Sequence, residues 1–243
     1  MKPFKRLPVA RGMLALALAA TTLAGCSAVA WQKPAPAATP APTPAPPADD
    51  SVERATSEPY TGDLSIFEDP GRAERLQVER VMDVLGIVEG SGVADIGAGS
   101  GWFTVRAARR AGPRGTVYAV EINPDYVKHI ERRAEEEKLS NVRAVLGKED
   151  DPLLPERSVD AVLILKTYHE IAQPVVLLKR LRAALRDGAR VGVIDREGSG
   201  DDHGVSAEVV IKEAERAGFA LAERHDFVKG DRMDYFLVFR ARR

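Results

Sequence analysis

The stretch 93–101, Val-Ala-Asp-Ile-Gly-Ala-Gly-Ser-Gly, restricts the fold of this chain more than any other. Val93 to Ile96 is a short apolar run bounded by glycines, which predicts a buried strand. Gly97, Gly99 and Gly101 predict a turn whose backbone a ligand can approach closely, because no side chain stands in the way. Trp102 to Ala108 follows with helix-compatible composition. Strand, glycine loop and helix in that order set free backbone N–H groups at a helix N-terminus, beyond the carboxyl end of a parallel strand. That is the layout of a nucleotide-type ligand site in an α/β sheet.

The next strand sharpens this reading. Thr116 to Val120 is a second buried run, and it ends on Glu121. An acidic residue at the tip of strand two can accept both hydroxyls of a ribose. The dinucleotide fingerprint G-x-G-x-x-G fails, because Trp102 stands where its third glycine belongs. The pattern D-x-G-x-G-x-G from Asp95 to Gly101, with Glu121 downstream, resembles the class I S-adenosylmethionine (SAM) dependent methyltransferases. The resemblance implies SAM as methyl donor. It implies that Asp95 and the loop Gly97, Ala98, Gly99 and Gly101 hold the methionine end, and that Glu121 holds the ribose. Ile122 and Lys166 are counted with the cofactor site on the same ground.

The remaining elements follow the order of that family. Arg72 to Leu85 carries apolar residues near helical spacing and stops at Gly86. Asn123-Pro124-Asp125 caps a helix through about Lys138, with a solvated outer face. Asn141 to Leu146 is strand three. It ends at Gly147 to Asp151, where the resemblance places an acidic or amide group beside adenine; Glu149 and Asp150 both fit. Ser158 to Leu165 is an almost uninterrupted apolar strand four, as expected for a strand covered on both faces. Val175 to Leu185 is a helix ended by Asp187-Gly188, and Ala189 to Asp195 is strand five. Ser206 N-caps a helix to about Ala217, and Phe219 to His225 with Tyr235 to Arg240 make a closing hairpin. The fold expected is α/β: a Rossmann-like, doubly wound, mostly parallel seven-stranded sheet with a C-terminal antiparallel hairpin.

Chemistry concentrates at the end of strand four. In an open α/β sheet the carboxyl ends of central strands line the ligand crevice. Tyr168 and His169 are therefore the catalytic candidates, with His169 suited to deprotonate a nucleophile near neutral pH. The loop Arg196 to Gly204 contains Asp201, Asp202 and His203. No second cluster is spaced to complete a metal site with them, so no metal is expected, and the loop reads as substrate-facing or mobile.

The N-terminus predicts an export signal. Lys2, Lys5, Arg6 and Arg11 precede an apolar run, Gly12 to Leu23, too short to span a bilayer as a mature helix. The run ends in Leu23-Ala24-Gly25-Cys26, which resembles the bacterial lipoprotein box, and Cys26 is the chain's single cysteine. The resemblance implies cleavage before Cys26, lipidation there, and, with Ser27 following, an outer-membrane location facing the periplasm. Seven prolines between 34 and 47 make an extended tether, rising about 3.1 Å per residue. The expected division is signal 1–25, tether 26–50 and a methyltransferase-like domain 51–243, with the segment 49–69 an irregular lead-in.

A formal net charge of −1, with signs interleaved, leaves no nucleic-acid footprint. The expected activity is methyl transfer to a small-molecule or envelope acceptor that the sequence does not identify, and the oligomeric state is equally open. The alternative is a non-catalytic nucleoside-binding lipoprotein on the same fold, because SAM is made in the cytoplasm and the signal sends the domain out of it.

Overall fold

The apolar runs pair as one seven-stranded sheet in the order β3-β2-β1-β4-β5-β7-β6, in a computed structural model that describes residues 54–242. The signal, Cys26 and the tether lie outside the described residues. The strands are β1 Gly92–Ile96, β2 Thr116–Glu121, β3 Val142–Leu146, β4 Val159–Leu165, β5 Leu185–Asp195, β6 Phe219–His225 and β7 Tyr235–Ala241. β1 runs parallel to both β2 and β4, β2 to β3, and β4 to β5, while β7 lies antiparallel between β5 and β6. The expected sheet and closing hairpin are present. Strand order reverses between β1 and β4, and ligands of such sheets bind beyond the carboxyl ends at that point.

Successive side chains on a strand face opposite ways, so each central strand supplies two cores. On β4, Val162 and Ile164 pack with Leu178 and Leu181 of α5 (Pro174–Ala184) and Val210 of α6 (Ala207–Arg216). Ala161 and Leu163 face the other side, against α2 (Val78–Leu85) and α3 (Trp102–Ala111). α4 (Pro124–Glu136) joins that face through Ile130. Leu163 is fully buried, and cutting such a side chain back to alanine costs about 2–5 kcal/mol.

Three expectations change in detail. The helix over 72–85 is two pieces, α1 (Arg72–Leu76) and α2, because Gln77 takes a left-handed conformation with φ 53° between them. α5 ends at Ala184, ahead of Asp187-Gly188. Leu185 is already extended and pairs with Val159, so the sheet claims the chain before the glycine can stop the helix. Ser206 stands at the N-cap of α6 without a side-chain cap bond; the Ala207 N–H donates instead to Glu197 Oε2 at 3.2 Å.

The lead-in folds back as a strap over the carboxyl ends of the strands. Arg54 pins its beginning, forming an ion pair with Glu213 at 2.9 Å and donating to the carbonyls of Tyr168 and Ile171. A 3-10 turn, Leu64–Phe67, is capped by Asp63, whose Oδ1 accepts from the Ser65 N–H. Tyr126 Oη donates to the Gly62 carbonyl, and Glu68 accepts from Arg133 and from Ser100.

Candidate active site

One cavity of about 970 Å³ lies beneath the strap at the switch between β1 and β4. Its glycine-loop end is built by adjacent segments of sequence. The N–H groups of Gly97 and Ala98 both donate to the Val120 carbonyl, at 2.9 and 3.1 Å, which folds the loop against the tip of β2. Gly97 has φ 71°, and a Cβ there would lie 2.3 Å from Thr167 Cγ2, so no other residue fits. Gly99 also turns left-handed, and Phe67 of the strap sits over it. Gly101 departs from expectation. It stands at the N-cap of α3 with φ 77°, its N–H bonded to the Ala98 carbonyl, and it does not line the cavity.

The two acids of this end are both buried. Asp95 is 2% exposed and Oδ2 accepts from Thr104 Oγ1 at 2.6 Å; burial raises its carboxyl pKa to about 6. Glu121 Oε2 accepts from the Gly99 N–H at 2.9 Å, and Oε1 accepts from Ile122 at 2.8 Å and Asn123 at 3.3 Å. A carboxylate offers about four lone-pair positions, so acceptor capacity remains for a ligand hydroxyl. Ala98, Ile122, Lys166 and Glu149 also line the cavity. Burial lowers the Lys166 ammonium pKa, helped by Arg72 and Arg196 nearby. Asp150 does not line it: its carboxylate turns to Arg180, 2.8 Å away. Of the two acids at that turn, Glu149 is the one facing the ligand space.

The histidine end is assembled from distant segments. After β4 the chain makes a 3-10 turn over Tyr168–Glu170, where three residues per turn send neighbouring side chains in different directions. Tyr168 goes into the core. It is fully buried and absent from the cavity wall, and burial beside Glu213 pushes its hydroxyl pKa well up. The expectation that Tyr168 meets a substrate is corrected. His169 and Glu170 face the cavity.

His169 Nδ1 is 2.9 Å from both carboxylate oxygens of Asp195, the buried last residue of β5. Asp195 also accepts from the backbone N–H groups of His169 and Arg196, at 3.2 and 2.9 Å. Facing an acceptor-only carboxylate, Nδ1 is assigned the proton, which leaves the lone pair on Nε2. Glu170 lies beside it with Oε1 3.8 Å from Nε2. Burial raises the Glu170 pKa to about 7; His169 opposes the rise, and Glu121 and Asp195 add to it. His203 arrives from the loop after β5 and sets its ring edge-on to His169, centroids 5.8 Å apart.

Asp195 and the strap residues Thr56 to Thr61, Ile66 and Phe67 went unrecognised as site residues in the sequence, while His203 stood only as part of a loop. An acid closing an apolar strand marks Asp195, just as it marks Glu121. Tyr60, Ile66 and Phe67 are apolar side chains in a polar stretch, and Ile66 remains 56% exposed. His203 carries no local signal: its complement, His169 with Glu170, lies over thirty residues away, and only the fold brings the two together.

A mixed seven-stranded sheet in this order, with a glycine loop after β1 and an acid at the tip of β2, has the architecture of the class I methyltransferases. Residues 93–188 match the family described as a methyltransferase domain. The chain is 29% identical over 114 residues to a protein-L-isoaspartate O-methyltransferase of Methanothrix thermoacetophila, covering 47% of this chain and 51% of that one. It is 28% identical over 137 residues to the tRNA (adenine(58)-N(1))-methyltransferase TrmI of Thermus thermophilus, covering 56% and 51%. Among solved structures it resembles a SAM dependent methyltransferase from Aquifex aeolicus, with a TM-score of 0.65, 23% identity, and 74% and 98% of the two chains covered. Over residues 93–188 the chain therefore matches a methyltransferase domain, within a fold of the class I methyltransferase type. It spans about half the length of the curated relatives it matches, and their names differ in the acceptor.

Proposed function

We propose that this chain is a SAM-dependent methyltransferase acting on a small-molecule or envelope acceptor. One observation carries the reading: a single cavity joins a nucleoside-type site at one end to an oriented imidazole at the other. The glycine-loop end fits SAM. Gly97 tolerates no side chain, Glu121 retains acceptor capacity for ribose hydroxyls, Ile122 offers an apolar surface, and Glu149 faces the space beyond it. Lys166 and Arg72 place positive charge on the cavity wall, where a methionine carboxylate would meet it.

SAM supplies the electrophilic methyl group. The protein's part is to hold the acceptor in line with it and to receive a proton where the nucleophile carries one. His169 suits the second task, since Asp195 fixes the ring and leaves Nε2 toward the cavity. Balanced charge over the chain argues against a polyanionic acceptor.

We also infer that the domain is lipid-anchored at Cys26 in the cell envelope, on the Leu23–Cys26 box behind a basic and then apolar N-terminus. This destination supports a second reading, a nucleoside-binding lipoprotein without turnover, since SAM is made in the cytoplasm. The test uses the full chain in detergent. Calorimetry with SAM should show one site. Methyl-labelled SAM with fractionated envelope extract should label a fraction only when the protein is present. SAM binding with no labelled fraction favours the second reading; no SAM binding ends both. Fatty-acid labelling that survives Cys26→Ser would end the anchor.

A further inference from the structure

We propose that His169, Glu170 and His203 form a site for a divalent transition ion of the zinc type at the histidine end of the cavity. The proposal rests on the reading that this end meets the acceptor, and it adds a cation to it. One ligand atom from each residue lies within 4.8 Å of the other two. Two imidazoles and one carboxylate are the donor set of open, three-ligand zinc sites, and imidazole suits zinc, cobalt, nickel and iron better than magnesium or calcium. Bonds of about 2.0–2.2 Å in a tetrahedron require ligand atoms roughly 3.3–3.6 Å apart. His169 Nε2 and Glu170 Oε1 are already at 3.8 Å. The remaining closure falls to His203, whose exposed side chain has rotamers to spare.

Two further features prepare the site. The Nδ1–H of His169 is held by a buried carboxylate, and this is how ligating histidines are oriented and made more basic. The backbone of His203 is fixed independently of its ring. Its N–H donates to Ser57 Oγ at 3.0 Å, its carbonyl accepts from Arg196 at 2.8 Å, and Ser57 Oγ donates to Gly200 at 2.8 Å.

Three protein ligands leave a zinc-type ion an open position toward the cavity. An acceptor oxygen bound there would lose its proton more readily. In that state Nε2 is a ligand, and the proton passes to solvent water instead of to His169.

The experiment takes the full chain in detergent, without a histidine tag and stripped by chelator. Co²⁺ should give a visible absorption band, and Zn²⁺ should bind once per chain by calorimetry. Changing an outer-shell partner of a metal ligand typically costs 10–100-fold in affinity, so removing a ligand by His203→Ala or Glu170→Gln should cost at least about that much. SAM affinity should stay within about twofold in His203→Ala. Absent Zn²⁺ binding in a protein that binds SAM overturns the site and leaves the methyltransferase reading standing. Zn²⁺ binding unchanged in both variants overturns it as well, since the ion then sits elsewhere. Variant-sensitive Zn²⁺ binding without SAM binding supports the site and removes the methyltransferase reading instead.

Discussion

The glycine-loop end and the histidine end of the cavity treat their carboxylates differently. Glu121 is surrounded by donors: three backbone N–H groups point at it from the loop and from its own turn. Glu170 is half-buried; burial raises its pKa to about 7, His169 opposes the rise, and its acidic neighbours Glu121 and Asp195 add to it. Glu121 is satisfied before any ligand arrives, although burial raises Asp95 behind it to about 6. The histidine end carries an electrostatic cost in the free protein, the pattern that groups kept for chemistry show.

The strongest way to break this comparison is His169→Ala. If the histidine end acts only in turnover, the rate should fall by about 10²–10⁴ while the Kd for SAM stays nearly unchanged. A variant that transfers as fast as wild type would reduce that end to shape alone. Next in size is Glu121→Ala, which removes a charged acceptor contributing about 1.5–3 kcal/mol to a bound ribose. SAM affinity should drop roughly ten- to a hundredfold, read by calorimetry on protein shown to be folded by circular dichroism.

Glu170→Gln tests the cost itself. Its folded pKa, about 7, lies above the ordinary 4.5, so the folded state binds the extra proton between those values. Wild-type stability should therefore fall as pH rises from 4.5 through 7, and the glutamine variant should escape that fall. At pH 8, in chelator, the variant should be the more stable, by on the order of 1–3 kcal/mol in denaturant melts, with the difference vanishing below pH 4.5. The smallest effect is expected of Tyr168→Phe. With its hydroxyl in the core beside Glu213, turnover should be unchanged, and stability should move by no more than about 1 kcal/mol.

The same contrast decides what was legible in the sequence. Asp95, Gly97, Gly99 and Glu121 lie within one βαβ unit, so their spacing along the chain is their spacing in space. Strand β4 was equally readable, as an apolar run covered on both faces, and β7 as half of a closing hairpin. Tyr168 was misplaced, and Glu149 and Asp150 stayed undecided, because one residue of register decides which way a side chain turns, and composition does not set register in a short turn. That Asp195 and His203 both meet His169 was not legible, because the fold brings these segments together from different strands. The strap escaped because its few apolar residues cover a ligand space and do not fill a core, so they follow no helical or strand period.

The strap also carries an expectation for the kinetics. Arg54 fixes its start and Glu68 holds its far end to Arg133 and Ser100, with Phe67 lying over Gly99. If a ligand seated against the glycine loop leaves only past this roof, the middle of the strap must lift first. Departure is then timed by the opening of the protein, whatever is bound inside. SAM and its demethylated product should dissociate at closely similar rates in stopped-flow experiments, even where their affinities differ, and Glu68→Ala should quicken both alike.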